Sequence, residues 1–202
     1  MYDTENEFDL LKRFAEDGDE EAFAGVLRRW EKPLFGFIFR LIPERTEAED
    51  IEQEVFLKLA GAAGGLTRQA KFSTYLYRVA YNLCIDHLRR RAVRGGAGSP
   101  ESLDELRETG DGEMAQRQVP DPSDLPADLL RERSEARRAV NAALAELPAN
   151  QRAALVLRIY EDRSYAEIAE VLGVSVSSVE SLLFRARQSL QQRLAPLRGQ
   201  PR

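Results

Sequence analysis

One stretch of the chain, residues 72–91, combines two kinds of side chain that hold a nucleic-acid strand. Aromatic rings recur along its first half, at Phe72, Tyr75 and Tyr77, and such rings can stack on unpaired bases. Its second half ends in three consecutive arginines, residues 89–91, which can hold phosphates. Since apolar residues repeat there at helical spacing, the stretch predicts one helix that grips a DNA strand and stabilises its opening. An amphipathic helix with a solvated basic end is the simpler alternative.

A second stretch, near the carboxyl end, has the pattern of a helix-turn-helix, which places one helix in the major groove of DNA. Ser164 followed by Glu167 predicts a capping box at the first helix. Gly173 supplies the positive φ that ends this helix, and Ser175 caps the next one. Val179 is expected to pack back on the first helix. The polar face of the second helix could then reach bases or phosphates, although a plain helical hairpin has the same local pattern.

The elements that carry these residues are all predicted to be helices, because apolar residues recur at helical spacing and no β pattern is found. Pro33 falls inside the segment 19–41 and predicts a break or kink. A helix at 47–59 turns Ile51, Val55, Phe56 and Leu59 inward, and the glycine-rich run 61–65 follows as a breaker. The remaining predicted helices are residues 129–147, 150–161, 164–172 and 175–194.

The composition changes abruptly at residues 95–126, which are rich in glycine, proline and acids and poor in large hydrophobic residues. Such a segment cannot bury enough surface to offset its ordering entropy. We therefore predict a flexible acidic linker at 95–126 between two small helical domains, residues 1–94 and 127–202. The fold class is predicted to be all-α.

Composition excludes several classes of protein. The formal net charge is −5, but residues 71–94 hold six bases and one acid. This segment could therefore bind a phosphate backbone although the whole chain is acidic. Cys84 is the only cysteine and is expected to be a buried small hydrophobe, which fits a reducing cytoplasm. No signal peptide, membrane-spanning run or glycine-rich phosphate loop is found, and the single histidine, His87, lies in the basic helix. We expect a cytoplasmic protein with no membrane insertion, catalytic residue, metal, cofactor or small-molecule substrate, and set aside an enzyme acting on nucleic acid.

Three blocks in this order resemble the small extracytoplasmic-function (ECF) sigma factors of bacterial RNA polymerase: residues 48–59, residues 72–91 and residues 147–187. The resemblance implies two helical domains, region two and region four with its helix-turn-helix, joined by a variable linker. It implies a factor that binds core RNA polymerase and directs initiation by recognising the −10 and −35 elements of promoter DNA. A free-standing helix-turn-helix regulator is the alternative, but it would leave the first two blocks without a role.

The resemblance also implies site residues. Asp50, Gln53 and Glu54 would dock on the clamp helices of the largest polymerase subunit. The loop 66–73 would capture a flipped −10 base, and Asn82 matches a position that contacts the −10 strand. The full set expected at the −10 element is Leu66, Arg68, Lys71, Phe72, Ser73, Tyr75, Arg78, Asn82, Arg89, Arg90 and Arg91. The set expected at the −35 element is Ser175, Ser177, Ser178, Ser181, Arg185 and Arg187.

The sequence departs from the family pattern at two places. The family usually has Trp where this chain has Tyr75, which gives a smaller stacking surface with a polar tip. Many relatives have basic residues near Glu180 and Leu182, and an acid at Glu180 repels phosphate. The resemblance further implies an anti-sigma factor as a partner that holds the chain inactive.

Overall fold

The computed structural model describes residues 6–67, 71–94 and 138–198, and within these ranges it contains helices and no strands. The all-α prediction is therefore confirmed for the described chain. The predicted linker 95–126, residues 127–137 and the candidate Arg68 lie outside the described residues. The helices are α1 (Glu7–Asp17), α2 (Glu20–Leu41), α3 (Arg45–Ala62), α4 (Phe72–Arg94), α5 (138–145), α6 (Ala149–Ile159), α7 (Tyr165–Leu172) and α8 (Val176–Arg198).

Of the break or kink predicted at Pro33, the break is wrong, because α2 is one continuous helix from Glu20 to Leu41. Proline lacks the N–H that would bond to the carbonyl one turn earlier, which normally favours a break. Here Leu34, Phe37 and Ile38 follow the proline and are fully buried. Burial of that apolar face outweighs one missing hydrogen bond, because each buried residue of this size contributes about 1.5–3 kcal/mol.

The first four helices pack together, and we call them the amino-terminal unit; their buried residues belong to one core that extends into the last four helices. The side chain of Asn6 caps α1 and that of Asp19 caps α2. α4 packs on α2 and α3, and the fully buried ring of Tyr77 meets Phe37 edge-on with centroids 5.2 Å apart. Trp30 lies against Phe72 at 5.5 Å and against Tyr77 at 6.1 Å. This core holds α3 and α4 side by side.

The last four helices form a carboxyl-terminal unit that contains the predicted helix-turn-helix. The capping box of Ser164 and Glu167 is present at the start of α7, and Gly173 ends α7 with φ of 69°. Ser175 accepts a hydrogen bond from the backbone N–H of Ser178 at 3.1 Å, which caps α8. Val179 is fully buried. The motif predicted from spacing is thus confirmed as a local structure.

The two units pack on each other, with α2 against α6 and α4 against α7. Arg152 on α6 is 8% exposed and links the two units. Its guanidinium donates to the carbonyls of Leu41 and Leu147, each at 2.9 Å, and to that of Ala145. Burial lowers the pKa of Arg152. The negative ends of α2 and α5 face the cation and offset that desolvation.

None of the helices in the described ranges is long and apolar enough to cross a membrane. Cys84 is buried as predicted, and burial raises the pKa of its thiol to about 12.

Substituting Arg152 tests the link between the units. Arg152→Ala removes the donor for three carbonyls and leaves a cavity, so we expect the free energy of unfolding to fall by about 3 kcal/mol. Urea denaturation followed by circular dichroism measures this change. The control is Arg28→Ala, because Arg28 is 59% exposed and pairs only with Glu21 among the contacts resolved for it. A loss for Arg152→Ala as small as that of the control would contradict the assignment.

Candidate nucleic-acid interface

The surface of α3 is acidic on the side away from the core. Asp50, Gln53 and Glu54 are exposed as predicted, while Ile51, Val55 and Leu59 on the opposite side are buried. Leu57 is 73% exposed and lies on the turn after Gln53 and Glu54. Sequence analysis missed Leu57, although it lies four residues after Gln53 and therefore on the same side of the predicted helix. This exposed surface therefore combines carboxylates with one large apolar side chain, and we name Asp50, Gln53, Glu54 and Leu57 the α3 face.

Glu52 lies beside the α3 face, on the side of α3 turned towards α2. Burial, together with the nearby carboxylates of Glu31 and Glu49, raises its pKa to about 7. Its Oε1 atom is buried and has no hydrogen-bond partner. Because the charged form is penalised in the fold and not in the unfolded chain, Glu52 destabilises the protein whenever it is ionised.

The pH dependence of this penalty follows from the sign of the shift. The pKa rises from 4.5 to about 7 on folding, so the penalty is complete above pH 7 and absent below about 4.5. We expect Glu52→Gln to raise the free energy of unfolding by about 1–2 kcal/mol at pH 8, after allowing for partial exposure, and much less at pH 5. Urea melts at both values measure it, with the exposed Glu54→Gln as control. An equal effect at the two pH values would refute the explanation.

One side of α4 is exposed along its length. Arg78, Asn82, Asp86 and Arg90 follow one another at four-residue steps and are all exposed. Asp86 pairs with Arg89 at 3.8 Å, and Arg90 donates from Nε to the backbone carbonyl of Asp86 at 3.3 Å. The carboxylate of Asp86 thus pairs with Arg89, while Arg90 contacts only the backbone of Asp86 among the contacts resolved for it. An amide and several guanidinium groups point outward from a single helix.

The basic end of α4 is anchored to the start of α3. Glu47 lies 3.1 Å from Nε2 of His87 and 3.3 Å from Nη1 of Arg91. The carboxylate therefore draws one arginine of the run back to the protein and partly offsets its charge. Arg89 and Arg90 lie outside this contact and are exposed, so they are the arginines best placed for phosphates.

The start of α4 is more buried than the sequence suggested. Phe72 is 5% exposed and is enclosed by Phe8 and Trp30, so in this structure its ring belongs to the core. Leu66 is half-buried, and Tyr75 is half-buried with a pKa raised by burial. Of the other described candidates here, Lys71 is exposed and Ser73 is buried.

Lys71, Ser73 and two tyrosines of α4 contact the carboxyl-terminal unit. Lys71 pairs with Glu167 at 2.9 Å, and Ser73 accepts from Nη1 of Arg163 at 2.9 Å. The hydroxyl of Tyr81 donates to Asn150 at 2.8 Å, and that of Tyr77 donates to Glu161. Burial, together with Glu161, raises the pKa of Tyr77. Sequence analysis missed Glu161 and Arg163 because only tertiary packing brings them to α4.

The residues expected at the −35 element differ in their solvent exposure. Ser175 and Ser177 are exposed, whereas Ser178 is buried with its hydroxyl 2.7 Å from that of Ser175. Ser181, Arg185 and Arg187 are half-buried. Glu180 and Phe184 are exposed on the same helix. The described residues contain no group of three or more His, Cys, Asp or Glu side chains suited to a metal ion.

Comparison with protein families gives two matches. Residues 26–94 match the family described as Sigma-70 region 2, and residues 137–190 match that described as Sigma-70, region 4. The chain is 33% identical over 199 residues to the RNA polymerase sigma-H factor of Pseudomonas aeruginosa, and the match covers 98% of each chain. It is 29% identical over 181 residues to the ECF RNA polymerase sigma factor SigW of Bacillus subtilis, covering 89% of this chain and 92% of SigW.

Two solved structures share the fold. One is the sigma factor RpoE in complex with the anti-sigma factor NepR from Bartonella quintana, with a TM-score of 0.62, 21% identity, and coverage of 86% of this chain and 96% of that one. The other is CnrH in complex with the cytosolic domain of CnrY, with a TM-score of 0.62, 23% identity, and coverage of 95% and 99%.

Proposed function

This chain belongs to the extracytoplasmic-function group of the sigma-70 family of RNA polymerase sigma factors, and we propose which of its surfaces perform each step of initiation. Its function is promoter-directed transcription initiation as a subunit of RNA polymerase. Sigma factors are regulatory proteins. A free-standing helix-turn-helix regulator is not favoured, because the match to Sigma-70 region 2 spans residues 26–94, which such a regulator would not need.

The observation that carries the assignment is the placement of the α3 face beside the exposed side of α4. Helices α3 and α4 pack against each other in one unit, so a polymerase bound to the first would hold DNA against the second. We assign residues 1–94 to core docking and the −10 element, and residues 127–202 to the −35 element. The segment 95–126, which we propose as a linker, would join them. RNA polymerase is in the cytoplasm, and we propose that this chain acts there.

Core docking is assigned to the α3 face. Asp50 and Glu54 are exposed carboxylates, which suit a basic partner helix. Leu57 adds an apolar contact whose full burial would contribute about 1.5–3 kcal/mol to binding. The combination of an apolar centre with a charged surround is typical of protein interfaces.

Recognition of the −10 element is assigned to the exposed side of α4 and to the loop before it. The amide of Asn82 can read a base edge, whereas Arg78, Arg89 and Arg90 can hold phosphates. Lys71 and the half-buried Tyr75 lie at the loop end of the helix, and we assign them to contact with a strand that has opened. The ring of Phe72 packs in the core against Phe8 and Trp30 and so fixes the position of the first turn of α4.

Recognition of the −35 element is assigned to α8. Ser177 and Ser181 lie on its amino-terminal half, which is the part of a recognition helix that reaches base edges. Arg185 and Arg187 lie one turn or more further on, and we assign them to phosphates. Glu180 disfavours a phosphate beside it. An anti-sigma factor, the partner named for two proteins of the same fold, is proposed as the regulator of this chain.

Run-off transcription tests the function. Purified chain added to purified core polymerase should produce a discrete transcript from its promoter, and core alone should not. The matched control is the double variant Asp50→Lys and Glu54→Lys, which should fail to produce the transcript because it reverses charge on the α3 face, while melting as the wild type does. Absence of any chain-dependent transcript across a library of promoter fragments would contradict the assignment.

Two substitutions on α4 separate base reading from phosphate contact. Asn82→Ala should change the preference among −10 sequences, since a base contact contributes about 1–3 kcal/mol of discrimination. Arg90→Ala should weaken binding similarly at all promoters and lower the salt slope by about one. Filter binding of the holoenzyme across −10 variants and salt concentrations measures both. If each variant changes the affinity for every promoter by the same factor, the division between base reading by Asn82 and phosphate contact by Arg90 is incorrect.

A further inference from the structure

We propose that Glu180 on α8 is a specificity-determining residue, whose carboxylate accepts a hydrogen bond from the exocyclic amine of a cytosine in the −35 element. This inference rests on the proposed function, because it requires α8 to lie in the major groove at that element. It goes further by naming a base. The side chains assigned to this element above are serines, which bond to donors and acceptors alike, and arginines assigned to phosphates, so none of them selects one base.

Glu180 lies one turn into α8, in the part of a recognition helix that meets base edges. Val179 and Leu183 are buried in the core, which fixes the rotation of α8 about its own axis. Glu180 is exposed, and so are Ser177 before it and Phe184 after it. Residues three and four apart are neighbours on a helix surface, so these three side chains share one exposed side of α8.

The carboxylate of Glu180 has no partner among the described residues. Neither a salt bridge nor a side-chain hydrogen bond to it is found in that part of the chain. The residues three and four positions away on either side carry no positive charge, so α8 itself offers no cation one turn away. Asp86, the exposed acid of α4, differs in this respect because it pairs with Arg89. The carboxylate of Glu180 is therefore available to a group outside the chain.

A carboxylate that faces DNA can be satisfied only by a hydrogen-bond donor, because an ionised carboxylate carries acceptors and no donor. Phosphate oxygens are acceptors with negative charge, so they repel Glu180. In the major groove the donors are the N4 amine of cytosine and the N6 amine of adenine, whereas guanine and thymine present acceptors there. Without one of these amines, a carboxylate that loses water at the interface would lower the affinity for DNA.

Cytosine suits the carboxylate better than adenine does. The amine of adenine stands between two acceptors, its own N7 and O4 of the paired thymine, and both repel a carboxylate. The amine of cytosine has an acceptor on one side only, which is O6 of the paired guanine. An amide carries a donor as well as an acceptor and therefore pairs with N6 and N7 of adenine together. Exchange of the carboxylate at position 180 for an amide should therefore change the preferred base from cytosine to adenine.

Binding of the holoenzyme to a set of −35 variants tests the proposal. The full-length chain with core polymerase is bound on filters to promoter fragments that share one −10 element and differ by single base pairs in the −35 element. The wild type should prefer cytosine at one −35 position by about tenfold. Glu180→Gln should move the preference at that position to adenine. Glu180→Ala should abolish the preference there and leave the preferences at the other positions unchanged.

Glu16→Gln is the matched control, because Glu16 is an exposed acid on α1 and its replacement changes the net charge as Glu180→Gln does. This control should retain every −35 preference of the wild type. If Glu180→Ala discriminates among −35 sequences as the wild type does, or changes the affinity for all of them by one factor, the inference is overturned while the proposed role of α8 stands. If the wild type itself discriminates among no −35 sequences, both the inference and that role fail.

Discussion

The buried guanidinium of Arg152 is the interaction on which the arrangement of the two units depends. It is surrounded by carbonyl groups from the ends of α2 and α5 and from the loop before α6. No carboxylate is among the partners resolved for it, so helix dipoles and neutral acceptors must offset the cost of burying a charge. Such a site has strict geometry, because moving any one of the three segments leaves a buried donor without an acceptor. The start of α6, and with it α7 and α8, is thereby oriented relative to α2.

Local patterns in the sequence predicted the helices and the helix-turn-helix, because these depend on contacts between residues close in the chain. The capping box at Ser164 and the left-handed Gly173 are examples. Pro33 was misread because local chemistry favours a break, while the buried face of α2 decides the outcome. Exposure of Asp50, Gln53 and Glu54 followed from helical spacing, but the apolar Leu57 on the same face was overlooked. The core position of Phe72 and the roles of Glu161 and Arg163 could not be predicted, since they arise from packing between distant segments.

In the proposed function, neighbouring surfaces of one small protein have different physical tasks. The α3 face offers acids and Leu57 for a protein partner, and the exposed side of α4 offers an amide and arginines for DNA. Glu47 connects these surfaces through His87 and Arg91, so the surfaces proposed for core docking and for DNA binding share a rigid support. The boundary between the units combines buried apolar side chains with polar contacts, among them the hydrogen bond from Arg163 to Ser73.

The central claim is that one chain reads two distant promoter elements through two different helices. Site-specific photo-crosslinking in the polymerase–promoter complex tests it most directly, with the crosslinking amino acid placed at position 82 on α4 or at position 181 on α8. The account predicts that position 82 crosslinks to the −10 element and position 181 to the −35 element, about 25 base pairs or 85 Å away. Crosslinks from both positions to the same element, or none from position 82 while position 181 reacts, would contradict it.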